Sequence, residues 1–251
     1  MTFPMQFHVG PAVINAHLIL EVLAYVLGFQ YLMYLRRKNK DTITSEQRMW
    51  IILAGAAGAL FGSRCVGYFS DPGVAQSMMD VWLGWMKSKS ILGGLLGGII
   101  GVEIGKQCMG IKTYTGDLFV YPILLAMIIG RLGCFSQGVF DGTHGNPTSL
   151  PWAMNMGDGI LRHPTQLYEV IFLILLWLVL KRLDPRLVNG ARFKIFATAY
   201  FLYRFLIEFI KPVYVTYLGL TAIQVACLVG LIYCLRVLTK PSHLFKECGR
   251  G

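Results

Sequence analysis

LFVYPILLAMIIGRLGCFSQG, residues 118–138, and RHPTQLYEVIFLILLWLVL, residues 162–180, decide how this chain is read. Leu118 to Ile129 is an apolar run that leads straight into Gly130 and Arg131. The second stretch opens on polar residues and continues as the apolar run Val170 to Leu180. A helix crossing a bilayer needs about 20 mostly apolar residues. An arginine therefore closes one membrane-length helix, and His163, Gln166, Tyr168 and Glu169 open the next. A charged group at membrane depth costs roughly 3 kcal/mol or more, and such groups mark function. A guanidinium presents a flat fork of donors to a phosphate, and neighbouring glycines let other groups come close. Together the two stretches read as a phospholipid headgroup site.

The rest of the composition agrees with a membrane protein. The chain has 251 residues, 55% hydrophobic and only 14% charged, with mean hydropathy +0.56. That excludes an ordinary soluble domain and predicts an all-α polytopic protein of about seven transmembrane helices with an external loop region. The spans fall at about 13–35, 48–68, 90–109, 116–135, 166–182, 193–211 and 219–238. No internal repeat or low-complexity linker divides the chain, so residues 1–251 read as one integral membrane domain. No basic segment precedes the first apolar stretch, so a cleaved signal peptide is not expected. The net charge of +10 does not point to nucleic acid, because the basic residues sit in short loops between apolar runs. The loops around residues 36–48, 106–112, 181–194 and 236–250 hold 16 of the Lys and Arg residues, and the opposite side holds 7. That asymmetry places the N-terminus outside and the C-terminus in the cytoplasm. The six cysteines show no CxxC pair and no metal spacing, and no metal or other cofactor is expected.

Three further segments stand out. Val74, Met78, Met79, Val81, Trp82, Trp85 and Met86, within residues 69–89, have the spacing of a helix lying in the membrane interface, where Trp is favoured, with an ordinary loop packed on the bundle as the alternative. Gly93-Gly94 and Gly97-Gly98 lie four apart, the small-xxx-small pattern of close helix packing. Residues 136–165 form the largest external loop, expected to fold over the mouth of the bundle and hold His163 near Arg131.

Among single residues, Arg131 and Arg204 sit most clearly inside apolar runs. Arg204 has Glu208 one turn on as an ion-pair partner, whereas Arg131 has no acidic neighbour in sequence and reads as the more open anion ligand. Arg64 is a third candidate, with snorkelling to the interface as the plain alternative. His17 and Glu21 are one turn apart and can face one cavity and share a proton. Gln224 and Glu103 read as lone interhelical hydrogen bonders, and Asp117 as a residue opening its own helix. His8, His144 and His243 read as surface histidines.

On these residues the chain resembles the bacterial prolipoprotein diacylglyceryl transferase family. The resemblance covers most of the chain, through Gly10-Pro11, Leu27-Gly28-Phe29, Gly62-Ser63-Arg64, Gly93-Gly94-Leu95, Asp117 with Pro122, Gly130-Arg131 and Pro151-Trp152-Ala153-Met154. It continues through His163-Pro164-Thr165-Gln166-Leu167-Tyr168-Glu169 and Tyr203-Arg204 with Glu208-Phe209. It implies a seven-helix enzyme of the bacterial inner membrane. Such an enzyme moves a diacylglyceryl group from phosphatidylglycerol to the lipobox cysteine of a preprolipoprotein signal peptide, making a thioether and releasing glycerol phosphate. Its implied partners are that lipid, that peptide and the bilayer. The catalytic set is Arg131, Arg204 and His163, carried over from the resemblance, with Glu21 added from this chain's own residues. The substrate-binding set is Arg131, Arg64, Gln137, Gln166, Tyr168, Glu169 and Glu208.

The chain also departs from the family pattern. Cys134 stands where the family usually has Asn, Val139 where it has Glu, Leu92 where it has His, and Glu21 where it has Tyr. A thiolate is the effective nucleophile, and pre-placed arginines stabilise the charge gathering on a departing phosphate. Glu21, His17 and His163 are alternative acceptors for the thiol proton. The alternative to a transferase is a non-catalytic or altered-specificity phospholipid-binding paralogue. A solute transporter would be expected to carry inverted repeats, and the chain shows none.

Overall fold

A computed structural model describes residues 3–10, 12–38, 43–71, 77–213, 215–235, 239 and 244–246. Pro11, Lys40, Val74, residues 236–238, His243 and Cys248, all used in the sequence reading, lie outside the described residues. The described chain opens with an antiparallel hairpin, β1 (Gln6–Val9) and β2 (Ala12–Asn15), in the register Gln6 to Asn15 and Val9 to Ala12. Eight helices follow among the described residues: α1 (Ala16–Lys38), α2 (Ser45–Ser70), α3 (Met78–Lys87), α4 (Ile91–Cys108), α5 (Val120–Gln137), α6 (Thr165–Leu183), α7 (Ala191–Ile207) and α8 (Ala222–Tyr233). Two short strands, β3 (Met154–Asn155) and β4 (Leu161–Arg162), pair inside the long loop between α5 and α6.

Helix starts follow from local chemistry. Thr44 with Gln47, Ser77 with Asp80 and Thr221 with Gln224 each form a reciprocal capping box at the start of α2, α3 and α8. This satisfies backbone N–H groups that would otherwise be orphaned. Gln224 thus belongs to its own helix start and is not the interhelical bonder expected. Asp117 is also reassigned. It does not open α5 but caps α7 from outside, its Oδ2 accepting from Gly190 N at 2.6 Å and its Oδ1 from Phe193 N at 2.8 Å. Glu103 pairs with Lys106 on its own helix at 3.1 Å.

α1, α2, α4 and the Val120–Asp141 segment containing α5 have the length and hydropathy to cross a membrane. The other three expected spans are α6, which carries Glu169, Lys181 and Arg182, and the shorter α7 and α8. The first expected span began three residues early, because residues 12–15 pair as a strand. The fourth began early too, since Gly116–Leu118 is a single 3-10 turn. The sixth ends at Ile207 and passes into another 3-10 turn, Glu208–Ile210.

The core joins α5, α6, α7 and α8 through Val120, Leu124, Leu173, Leu180, Phe196, Phe201 and Cys227. Burial of that kind stabilises by about 25 cal/mol per Å² of apolar surface. The opposite, outward faces are also apolar: Phe29, Trp50, Phe61, Ile104, Leu178, Leu206 and Ile232 are exposed. A helix apolar all round belongs in a nonpolar medium, so these faces meet lipid. α2 and α4 cross at backbone contact. A Cβ on Gly97 would fall on the carbonyl of Gly58, and one on Gly93 on that of Gly62. The expected glycine pattern is therefore a packing seam. α3 lies against the end of α2 with Met78, Met79, Trp82 and Met86 exposed, as an interfacial helix would.

Alternate helix ends meet at one end of the bundle. Ser63 accepts from Ser90 N at 3.0 Å, joining the end of α2 to the start of α4. The ends of α5 and α7 and the starts of α1, α6 and α8 gather beside them. At the far end, Tyr121 donates to Asp184 at 2.6 Å and Arg192 also reaches Asp184 at 2.6 Å.

Candidate active site

Arg131, His163, Gln166, Tyr168, Glu169, Arg204 and Glu208, all singled out in the sequence, lie at the first of these ends, whereas Asp117 and Glu103 do not. α5 stops at Gly138, whose φ of +64° belongs to the left-handed region. A side chain there would also strike the carbonyl of Met156, so glycine is required on both counts. Val139 N then donates to that same carbonyl at 3.0 Å, drawing the loop back over the helix end. The loop is stitched down along its length. Asn146 N donates to Ile210 O at 2.8 Å, His163 N to Asn146 O at 3.1 Å, and Thr165 Oγ1 to Thr143 O at 2.6 Å. It crosses the ends of α5 and α7 and delivers the chain to the start of α6.

Four charges lie beneath it in alternation. Arg131 Nη2 meets Glu169 Oε2 at 2.9 Å. Arg204 Nη1 reaches the same oxygen at 3.4 Å, and its Nη2 reaches Glu208 Oε2 at 3.5 Å. All four residues are buried, between 2% and 6% exposed. Tyr200 Oη donates to Glu169 Oε1 at 2.8 Å, and Thr221 Oγ1 donates to Glu208 Oε1 at 3.4 Å. Buried charges persist only when paired and hydrogen-bonded, and removing one partner costs about 3–5 kcal/mol. Arg131 is therefore not the unpaired cation its sequence neighbourhood implied, because its acid comes from another helix. Arg204 keeps the expected Glu208 and adds Glu169. The quartet has no net charge. Lys211, 9% exposed, follows the 3-10 turn that carries Glu208 and brings an amine to this end.

Several buried polar atoms here have no hydrogen-bond partner among the described residues. They include Arg131 Nε, both amide atoms of Gln166 and Tyr203 Oη. Gln166 is 1% exposed and lies one turn before Glu169, on the same face of α6. A buried polar group left unpaired costs about 1–3 kcal/mol, so atoms of this kind call for a ligand or water. His144 Nδ1 is also buried without a partner. Burial first, then the nearby Arg162, hold His144 below the usual imidazole range. It is part of the loop's interior, not the surface histidine expected.

His163 is placed by Tyr168, its Nδ1 lying 3.1 Å from Tyr168 Oη, which also accepts from Trp152 Nε1 at 2.7 Å. Tyr168 and Glu169 are chain neighbours, so the path from His163 to Arg131 runs through that dipeptide. Gln137, half-buried, is the last residue of α5. Glu21 sits apart from the quartet, 3.6 Å from His17 Nε2 and 3.9 Å from Lys89 Nζ. Arg64 donates to the carbonyls of Met86 and Ser88, the latter at 2.9 Å, and so ties α2 to the segment leaving α3. An apolar cleft lined by Ile99, Ile100, Glu103, Val229 and Tyr233 opens at the opposite end of α4 and α8 and takes no part in this arrangement. Tyr200 was not singled out in sequence, although Tyr200, Arg204 and Glu208 recur at four-residue steps along one helix face, the signal that would have found it.

A family model described as prolipoprotein diacylglyceryl transferase matches residues 4–239. Among curated relatives, proteins named phosphatidylglycerol–prolipoprotein diacylglyceryl transferase are similar over most of the chain. The one from Aliivibrio salmonicida is 32% identical, covering 83% of this chain and 75% of its own length. That from Wolbachia pipientis subsp. Culex pipiens is 30% identical, covering 83% and 81%. That from Bordetella avium is 31% identical, also covering 83% and 81%.

Proposed function

The chain belongs to the prolipoprotein diacylglyceryl transferase family, and we propose that it transfers the diacylglyceryl group of phosphatidylglycerol to the lipobox cysteine thiol of a preprolipoprotein. The observation that carries this reading for the site is the buried quartet with open donors beside it. Arg131 is fixed at one end by Glu169 and keeps Nε unpaired, and Gln166 keeps its whole amide unpaired. In this reading Arg131 Nε and the Gln166 amide donate to the lipid phosphate, and Lys211 balances its single negative charge. Arg204 and Tyr200 hold Glu169, and through it the guanidinium, in a fixed orientation. Gln137, Tyr168 and Glu208 complete the wall around the headgroup. Arg64 holds the interfacial helix from which the lipid enters.

The reaction forms one bond and breaks another. The acceptor thiol gives its proton to His163, and the thiolate attacks the glyceryl carbon that bears the phosphate oxygen. That carbon–oxygen bond breaks, the new bond is a thioether, and glycerol phosphate departs with the electron pair. Negative charge gathers on the leaving phosphate, and fixed donors stabilise that charge more than the resting lipid. A single such donor contributes on the order of a hundredfold to a thousandfold in rate. Glu21, beside His17, is the alternative proton acceptor. The bundle lies in the bacterial cytoplasmic membrane as seven spans, with the N-terminus and the site on the outer side and the C-terminus in the cytoplasm.

The test is transfer of labelled diacylglycerol from phosphatidylglycerol vesicles to a lipobox peptide by the purified chain, read as peptide mass. Transfer with thioether formation and release of glycerol phosphate is expected. A chain that binds the vesicles but gives no modified peptide would overturn the reading. His163→Gln and Glu21→Gln assign the base, the correct one lowering the rate most at neutral pH.

A further inference from the structure

The cysteines show no metal pattern in sequence, yet the fold brings three metal-binding side chains to one point. His17 near the start of α1, Cys134 in the last turn of α5 and Asp141 just past Gly138 place one ligand atom each within 4.8 Å of the other two. We infer that these three residues form a binding site for a divalent cation of the zinc class, adjoining Arg131 but not required by the headgroup reading above.

Four observations carry it. First, His17 Nδ1 is buried and has no hydrogen-bond partner among the described residues. It faces Gly133, where an added Cβ would stand only 3.3 Å away. An imidazole nitrogen shielded from water with nothing to bond has its lone pair or N–H free to take a ligand, and a neutral imidazole nitrogen is a common metal donor. Second, the donor set is one nitrogen, one sulfur and one carboxylate oxygen, which suits zinc. A tetrahedral zinc site with bonds near 2.0–2.3 Å puts its ligands about 3.5 Å apart. The three atoms, within 4.8 Å of one another, stand a little beyond that spacing, and Thr143 Oγ1 already holds one carboxylate oxygen of Asp141.

Third, the outer support is present. Glu21 Oε2 lies 3.6 Å from His17 Nε2, so a metal held by the unpartnered Nδ1 would leave the other ring nitrogen facing a carboxylate. A carboxylate behind a metal-bound imidazole fixes its orientation and raises its basicity. Fourth, the charges balance. A divalent cation with one thiolate, one carboxylate and one neutral imidazole has no net charge, so it can sit beside Arg131, whose Nη1 is 3.9 Å from Cys134 Sγ. Three protein ligands leave a fourth coordination position for an outside ligand, as in zinc sites that are open rather than structural.

The test uses the full chain in detergent micelles, stripped with a chelator and titrated with Co²⁺ as the spectroscopic probe. One equivalent should bind with the visible bands of tetrahedral cobalt and a near-ultraviolet thiolate-to-cobalt band, and Zn²⁺ should displace it. Cys134→Ser should lose the thiolate band. Asp141→Asn should keep that band and bind at least tenfold more weakly. Glu21→Gln should also keep the band and bind about tenfold to a hundredfold more weakly. Each variant is first checked for an unchanged monodisperse elution profile. Should Cys134→Ser misfold, protection of Cys134 from maleimide by Zn²⁺ in the wild-type chain gives the same answer. No thiolate band in the wild type, a band that survives Cys134→Ser, or no protection would overturn the site. Peptide transfer by the stripped chain is measured in parallel, so loss of the metal site and loss of the transferase reading are told apart.

Discussion

Arg131 meets Glu169 with one corner of its guanidinium and leaves Nε buried without a partner among the described residues. Lysine in its place would keep the ion pair but could not also face a phosphate, because its ammonium is a single point. One charge-assisted hydrogen bond contributes roughly 1.5–3 kcal/mol. Arg131→Lys should therefore lower the transfer rate about tenfold to a hundredfold while the chain still inserts and elutes as before. A lysine variant with near wild-type rate would make Arg131 an anchor only. Gln166 offers a sharper comparison. If its buried amide serves only the fold, Gln166→Met removes two unpaired polar atoms and leaves activity intact. If it serves the headgroup, the same change leaves thermal stability equal or higher and lowers transfer at least tenfold, chiefly through KM. The sequence pointed to both residues because a polar group in an apolar run is visible without a structure. It could not supply Arg131 with its acid, since Glu169 belongs to another helix and nothing in local spacing says which helix ends meet.

At the scale of elements, periodicity and capping chemistry made most helices legible and left their edges ambiguous. The apolar run around residue 13 continued into a strand, because β-branched residues such as Val13 and Ile14 suit both a membrane span and a hairpin. Asp117 was misplaced for a related reason. Its position before an apolar run looks like a helix start, but its carboxylate caps α7 across the loop. Asp117→Ala should cost about 1–2 kcal/mol, read as a lower midpoint when the micelle-embedded chain is heated stepwise and its elution followed. The glycine seam was read correctly as a seam, with its partner helix unspecified. Gly97→Leu would push a side chain into the backbone of Gly58, and overpacking of this kind costs about 1–3 kcal/mol or more. The variant should lose its monodisperse peak well below the wild-type midpoint. An unchanged midpoint would mean α2 and α4 can separate freely.

For the whole molecule, the 16-to-7 division of Lys and Arg predicts that reporters fused at the N-terminus report outside and at the C-terminus report cytoplasm. Both reporters on one side would show that a span has been miscounted. Class follows from composition, which needs no contacts, whereas the site depends on three-dimensional closure and came through only in part. The paired quartet also has a consequence for biogenesis. Arg131, Glu169, Arg204 and Glu208 sit on segments that leave the ribosome in that order, each charge opposite in sign to the one before. A lone arginine within the outer half of the bilayer is unfavourable, so α5 has no stable resting place in lipid until α6 is synthesised, nor α6 with α7 until Glu208 follows. The growing chain should therefore be held at the insertion machinery through the whole second half of its synthesis. A ribosome stalled before Glu169 should leave α5 extractable, and one stalled after Glu208 should leave it locked in the bilayer.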